Sequence, residues 1–438
     1  MHRLHRSGRK TGDDSMEATA GWAIDFIRKI VARAPLRPPA SPGELVAQQM
    51  VEDELKAIGL QTSWHRFRFH RSIYGNFALH FGLAVAATAV SPWCPIGAAV
   101  VHALVAFSYA MQSTRRHSVL SRLYFRRPSQ NLLAVMPAEG GGQPSLRLVF
   151  MGHADAAFNG LVFNPAFVRS TMNSKGPFRR SIALATWATA AMVAFDLLRV
   201  FADPFPYVRF VEWAVTAPAI IAFLLDFDVY VRNRHVQGAN DNLTAAAAMP
   251  VLAARLGPER PPDVELVFAL TGCEEAGLGG AMALQREVRS RWDRKNTVFI
   301  NMDGLSNGQL RYIDPEGELF LLRPDRWLVD LVDEVRGSRP GFAPFADVAP
   351  FDITIGGTDM AAFQTAGWQG ISFVAIDPAT GSPRHYHTTR DTVDNLDLEE
   401  YEVSLDFISE LARRVMKRGS SAVKNEETAA DPRPSPIS

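Results

Sequence analysis

Cysteine is scarce: 438 residues contain only two, Cys94 and Cys273. They lie far apart in unrelated contexts, which argues against a disulfide scaffold and for two free thiols in a reducing compartment. An excess of charge is missing too. The 46 Lys and Arg cancel the 46 Asp and Glu, which removes the general electrostatic argument for a nucleic-acid partner or a globally acidic substrate. The basic run Met1 to Lys10 is followed by Thr11-Gly12-Asp13-Asp14 rather than by an apolar stretch and a small-residue cleavage site, so no secretory signal is readable. No internal repeat is evident either.

Long apolar runs, in contrast, are present. Four of them form two pairs: about Ser72 to Val90 with Pro95 to Met111, and about Ser181 to Leu197 with Val208 to Leu225. Each approaches the roughly 17 to 20 residues a helix needs to cross a bilayer core. They read as two hydrophobic hairpins that embed in or span a membrane and contact its lipid. Buried soluble helices are the alternative, because His80 and His102 lie inside the first pair and Asp196 and Glu212 near the inner ends of the second. The two histidines are expected to pack or to hydrogen-bond between helices. Two hairpins return the chain to its starting side, and that side carries Arg71, Arg115, Arg116, Arg122, Arg126, Arg127, Arg179, Arg180, Arg232 and Arg234. The far turns offer Arg199 and Arg209 at most, so the positive-inside bias predicts a catalytic domain facing the cytoplasm from a membrane of the bacterial inner type.

With the hairpins set aside, helical patterns alternate with short apolar strands, which predicts an α/β fold with a mostly parallel central sheet flanked by helices. The expected strands are Asn131 to Met136, Leu146 to Met151, Val264 to Leu270, Thr297 to Asn301 and Ile371 to Ile376. The expected helices are Gly21 to Ala32, Pro42 to Ile58, Asp241 to Leu256, Asp325 to Arg336 and Leu398 to Arg414. The domain reading is a flexible basic tail at 1–15, one catalytic domain at 16–417 interrupted at about 72–111 and 181–225, and a disordered tail at 418–438.

Chemistry gathers where these strands end. Gly152-His153-Ala154-Asp155 follows the Leu146 strand, placing His153 where parallel sheets present functional groups, with a carboxylate two residues on that can fix its tautomer. Asp241, in Gly238-Ala239-Asn240-Asp241-Asn242, precedes an alanine-rich run and reads equally as a helix cap. Glu274 and Glu275 follow the Val264 strand. Adjacent carboxylates repel unless cations or solvent compensate, and if one binds a metal the other can serve as general base. Asp303 closes the next strand, and His385-Tyr386-His387 follows the last. Two His and three carboxylates at strand ends are a mixed N/O set suited to a pair of zinc ions.

These residues resemble the di-zinc aminopeptidases, a family that extends to glutamate carboxypeptidases and, with altered metal use, glutaminyl cyclases. The likeness runs from about Ala32 to Lys417 outside the apolar insertions, with five motifs in family order. It implies two Zn2+, His153 and Asp303 binding one, Glu275 and His387 the other, and Asp241 bridging them. Glu274 is then the general base and Asp155 orients His153. Tyr386 resembles a stabiliser of the tetrahedral oxyanion, though a tyrosine there can simply pack. Gly357-Thr358-Asp359-Met360 is similar to a pocket segment of the family, with Thr in place of Ser, and Asp359 could equally cap a helix. Cys273 reads as a small filler with no partner base.

The function expected is removal of N-terminal residues from peptides, or hydrolysis of aminoacyl substrates, by a metal-activated water. The alternatives are a carboxypeptidase, amidase or aminoacyl-cyclising enzyme on the same site, or a scaffold that has lost its metals. Both insertions depart from the secreted relatives, and the second follows His153 closely enough to roof the pocket. Substrate preference and oligomeric state are not readable from the sequence.

Overall fold

The computed structural model describes residues 18–115, 119–173, 175–202 and 206–429; the basic tail expected at 1–15 lies outside them. The strands are β1 (Gln61–Phe69), β2 (Arg127–Met136), β3 (Leu146–His153), β4 (Phe158–Asn159), β5 (Arg234–His235), β6 (Val264–Thr271), β7 (Thr297–Met302), β8 (Gln309–Glu316), β9 (Ala349–Ile353) and β10 (Gln369–Ile376). Eight form one sheet in the order β1-β2-β6-β3-β7-β10-β8-β9, and β4 pairs β5 separately.

The centre of the large sheet is parallel: β6, β3, β7 and β10 run the same way. The sheet as a whole is mixed, because β1, β2 and β6 pair antiparallel, as do β10 and β8. All five strands expected from sequence are present. The three others, β1, β8 and β9, are not continuous apolar runs: exposed or half-exposed positions recur along each. In β1, Arg66 and Arg68 alternate with Phe67 and Phe69, the charged pattern that protects a sheet edge.

Side-chain alternation sends successive residues of the central strands to opposite faces. Leu148, Phe150, Leu266, Phe268 and Ile300 meet the helices Ala20–Arg33, Thr244–Leu256 and Leu398–Ala429 on one face. Val149, Met151, Val267, Ala269 and Phe299 meet Gly279–Val288 and Asp359–Gln364 on the other. The helix Pro42–Ala57 starts where expected, with the Ser41 side chain accepting from the Glu44 N–H and proline in the first turn. The closing helix runs on to Ala429, past Arg414 and into the segment assigned to a disordered tail. No proline occurs between Leu398 and Ala429 to stop it.

The apolar runs form helices at Ile73–Val90, Pro95–Ser113, Ser181–Phe201 and Pro206–Arg232. All four are long and apolar enough to cross a membrane, and they pack together as one bundle. Its interior holds the polar groups. His80 Nε2 meets Ser108 Oγ at 2.9 Å, and His102 joins Asp196 at 2.6 Å through Nδ1 and Thr88 at 3.1 Å through Nε2. Glu212 takes both Arg199 and Arg209. The outside exposes Trp93, Phe107, Trp187, Phe201 and Phe210. This inverts a water-soluble bundle, because where apolar surface faces apolar surroundings, interhelical hydrogen bonds and packing hold the helices together.

Gly280 opens a helix whose first turn lies on the backbone of the β6 end. A Cβ there would stand 2.3 Å from the Gly272 carbonyl oxygen and 2.4 Å from Asn131 Oδ1. Gly280→Ala is therefore expected to destabilise by about 1–3 kcal/mol, read as a lowered unfolding midpoint. Gly142→Ala, where nothing lies within 4 Å, should leave the midpoint unchanged.

Candidate metal centre

The parallel centre decides where the functional groups go, since every one of its strands ends on the same edge. In register, His153 at the end of β3 stands beside Thr271 at the end of β6, and Met151 beside Asn301 of β7. Glu274 and Glu275 leave β6, Asp303 leaves β7, and the loop after β10 brings back His387. All five residues nominated as metal ligands, together with Glu274, thus converge on one buried site.

His153 Nε2 lies 3.3 Å from Asp241 Oδ1, 3.7 Å from Asp303 Oδ1 and 3.9 Å from Glu274 Oε2. His387 Nε2 lies 3.2 Å from Asp241 Oδ2 and 3.3 Å from Glu275 Oε1. The two oxygens of Asp241 are therefore divided, one toward each imidazole. Atoms of His153, Asp241 and Glu275 come within 4.8 Å of one another, close enough to share an ion.

Asp241 is not a helix cap. Its backbone is non-helical (φ −110°, ψ 88°) and the helix begins later, at Thr244. The Asp391 carboxylate accepts from the N–H groups of Asn240 and Asp241 at 2.7 and 3.2 Å. Asn242 bridges to the Asp303 loop, donating to the Met302 carbonyl and accepting from the Gly304 N–H. Asn240 Oδ1 accepts from the Ser306 N–H. The asparagines on either side of Asp241 thereby set its spacing from Asp303.

Asp155 has a different geometry from the one its spacing suggested. Its backbone oxygen, at 3.0 Å, is the hydrogen-bond partner of His153 Nδ1, whereas its carboxylate accepts from the N–H groups of Glu274 and Glu275 at 3.1 and 3.0 Å. One residue thus aligns both the histidine and the Glu-Glu turn. The Tyr386 ring stacks on His387 with centroids 3.9 Å apart and lines the cavity above the site. Thr358, not Asp359, caps the following helix. Asp359 lies buried beneath the site, accepting from the Thr271 hydroxyl. Cys273 is fully buried, and burial pushes its thiol well above the usual range, so its reactive thiolate form is disfavoured.

Two buried charges escaped the sequence reading. Arg37 donates to the carbonyls of Ala34, Ala154, Gln237 and Gly238, tying the His153 loop to the Asp241 loop. Glu44 accepts from the Cys273 N–H and the Ser129 hydroxyl, both at 2.8 Å. Both sit in otherwise ordinary helical or loop sequence, and only long-range contact gives them a role.

The electrostatics call for cations. Burial raises the carboxyls of Asp155, Glu274 and Asp303, and carries those of Glu275 and Asp359 up to about 7. Burial works to lower His387, but Glu275 and Asp241 outweigh it and raise the imidazole to about 10. Glu275 Oε1 stands beside that ring yet is left without a hydrogen bond. So many buried carboxylates around two imidazoles, with an orphaned oxygen aimed inward, suit divalent ions on N and O donors.

Residues 226–412 match the family described as Peptidase family M28. That segment, less than half of the chain, is similar to the M28 peptidases. It includes Asp241, Glu274, Glu275, Asp303 and His387, while His153 precedes it and is joined to it by the fold. Among solved structures, the zinc aminopeptidase BSAP from Bacillus subtilis is similar at a TM-score of 0.54, with 12% identity over 91% of this chain and 95% of that one. The aminopeptidase from Aneurinibacillus sp. strain AM-1 also reaches 0.54, with 12% identity over 91% and 94%. An Acidobacteriales bacterium glutaminyl cyclase reaches 0.51, with 14% identity over 94% and 100%. No curated protein matches the chain. The fold is that of the zinc exopeptidases.

Burial holds the Glu44 carboxyl up at about 8, against 4.5 for the free side chain. The folded state then keeps a proton that the unfolded chain gives up, so this contribution is complete below about pH 4.5 and is lost as pH rises through about 8. Thermal unfolding across this window should fall less steeply with pH in Glu44→Gln than in wild type; parallel curves would show that Glu44 does not carry the dependence.

Proposed function

We propose that this M28-type chain is a membrane-bound, zinc-dependent aminopeptidase with a two-ion centre. The observation that carries the reading is the division of Asp241, one carboxylate oxygen toward His153 and the other toward His387. On this reading, His153 and Asp303 would hold one ion and Glu275 and His387 the other, with Asp241 offering one oxygen to each side. When bound, the ions supply Lewis acidity, polarising the scissile carbonyl and acidifying water.

The remaining chemistry belongs to side chains. Glu274 lies within 3.9 Å of His153 and is the group placed to accept a proton from the attacking water and return it to the leaving amine. Its burial supports that role, because burial raises the carboxyl above its ordinary range, the direction that makes it a stronger proton acceptor. Asp155 keeps Glu274 and Glu275 at fixed spacing through their backbone N–H groups. Tyr386, stacked on His387 at the cavity wall, supplies a phenol beside the reacting carbonyl. The site carboxylates receive the free amine of a peptide or aminoacyl substrate, which favours the amino-terminal end.

A second reading follows from the glutaminyl cyclases among the similar structures. In cyclisation, an N-terminal glutamine loses ammonia and no residue is released. The catalytic experiment uses purified protein with measured zinc content and a panel of aminoacyl amides, including glutaminyl ones. Two zincs per chain and release of the free amino acid are expected. Glu274→Gln should retain the metal and lose about 10²–10⁴-fold in kcat. Ammonia release from glutaminyl substrates alone would move the assignment to the cyclase, and metal-loaded protein inert on every substrate would remove both.

The bundle's apolar exterior supports membrane insertion, and the arginine distribution supports a catalytic domain on the cytoplasmic side. Cys94 is exposed at the far turn of the first hairpin, whereas Cys273 is buried. An impermeant maleimide applied to intact cells should therefore label Cys94, with Cys94→Ser as the blank. Labelling that requires cell lysis would contradict this orientation.

A further inference from the structure

The cavity above the metal centre, about 740 Å³, falls within the range of roughly 300–1,000 Å³ typical of small-molecule sites. Its floor is formed by Asp241, Glu274, Glu275 and Asp303. Tyr74 and Phe163 line it as well, and so do Ile182 and Leu184 of the third apolar helix and Ile221 and Ala222 of the fourth.

Two of these residues also face outward. Leu184 is 58% exposed and Ile221 is 56% exposed although both line the cavity, which points to an opening of the cavity on the side of these two helices. At about 1.5 Å per residue, Leu184 lies about 4.5 Å along its helix from Ser181, and Ile221 about 16 Å along its own from Arg232. Both depths fall inside an apolar layer of about 30 Å. Charged groups on the wall include Arg115, 3.5 Å from Glu318, and Arg384, 3.3 Å from Asp377, while Arg180 and Asp226 line it next to the apolar stretches of the third and fourth helices.

A water-soluble peptide gains nothing from an entrance lined by Leu and Ile in the apolar layer. A molecule with a polar amide and a long hydrocarbon chain fits both ends of the cavity. We propose that the substrate is an amide bearing a long unbranched aliphatic chain, which enters sideways from the lipid between the third and fourth apolar helices with its amide at the metal centre. The proposal rests on the hydrolase reading above and specifies its substrate. In the reaction, water adds its hydroxyl to the carbonyl carbon, the C–N bond breaks, and the proton passes to the nitrogen. The chain leaves with the amine if it is carried there, as in a lipid-modified aminoacyl amide, or with the carboxylate if the amide is an N-acyl amino acid.

The test uses zinc-loaded full-length protein in lipid nanodiscs. One arm is a series of leucyl n-alkylamides from ethyl to hexadecyl, and the other is N-acyl leucines of the same lengths. One arm is expected to rise at least about tenfold in kcat/KM from the shortest to the longest chain, given the transfer free energy of buried methylenes; which arm rises identifies the side that carries the chain. Partition into the bilayer alone would also favour long chains, so the long-to-short ratio is compared in Ala222→Trp, which narrows the passage, and in Leu184→Trp at its mouth. The ratio should fall at least about fivefold in one of them, an effect partition cannot produce.

A second readout does not depend on turnover. A non-hydrolysable long-chain amide with a diazirine at its chain end should crosslink to Ile182, Leu184, Ile221 or Ala222, and an unlabelled long-chain amide should suppress the label. Cleavage of short amides with no chain-length dependence, or with a ratio unchanged in both variants and crosslinks spread evenly to Trp187 and Phe210, overturns this inference and leaves the hydrolase reading standing. Failure of every amide, short and long, with zinc bound removes the hydrolase reading itself.

Discussion

The burial of a crowd of carboxylates at one edge of a parallel sheet is the constraint on which the rest of the structure depends. Asp155, Asp241, Glu274, Glu275, Asp303 and Asp359 lie around two imidazoles, and such a group is costly in a low-dielectric interior without cations. The chain meets this cost with precise backbone hydrogen bonding. Asp155 aligns the Glu-Glu turn, Asp391 aligns the Asp241 loop, and Arg37 joins two loops that are far apart in sequence. The centre is therefore a rigid receptacle rather than a set of free side chains, and rigidity of this kind supports both metal affinity and catalysis.

The second organising feature is the reversal of polarity in the helical bundle. His80, His102, Thr88, Asp196 and Glu212 turn inward, while Trp93, Phe107, Trp187, Phe201 and Phe210 stand on the outside. A soluble domain would leave such a surface prone to association; next to lipid it is the stable arrangement. The bundle also touches the chemistry, because Tyr74 and Phe163 form a contact chain from the first apolar helix to His387. Residues of the same apolar helices line the cavity above the candidate metal centre, so the bundle and the site form one architecture.

Much of this was legible in the sequence because the signals are local. The four strands of the parallel centre, β3, β6, β7 and β10, and the neighbouring β2 are mostly apolar runs, and each of the four leads into a segment with metal-binding residue types. The apolar helices declare themselves by length. What was missed lies where local pattern and tertiary role diverge. Strands β1, β8 and β9 are partly exposed and lack a continuous apolar signal. Asp241 looks like a cap because it precedes a helical run, yet a further turn of loop intervenes. Asp155 looks like a partner for an imidazole ring, but its carboxylate is committed to backbone N–H groups supplied more than a hundred positions later.

The sequence by itself determined the types of chemical group, their order along the chain and the apolar segments, because these depend on composition and short-range periodicity. Only the tertiary structure decided which oxygen of Asp241 faces which histidine, that Arg37 and Glu44 brace the site, and that residues of the third and fourth apolar helices line the cavity above it. Those are distances between residues remote in sequence. They arise from sheet register and helix packing, which bring strand ends and inserted helices together in a way that no local window of residues encodes.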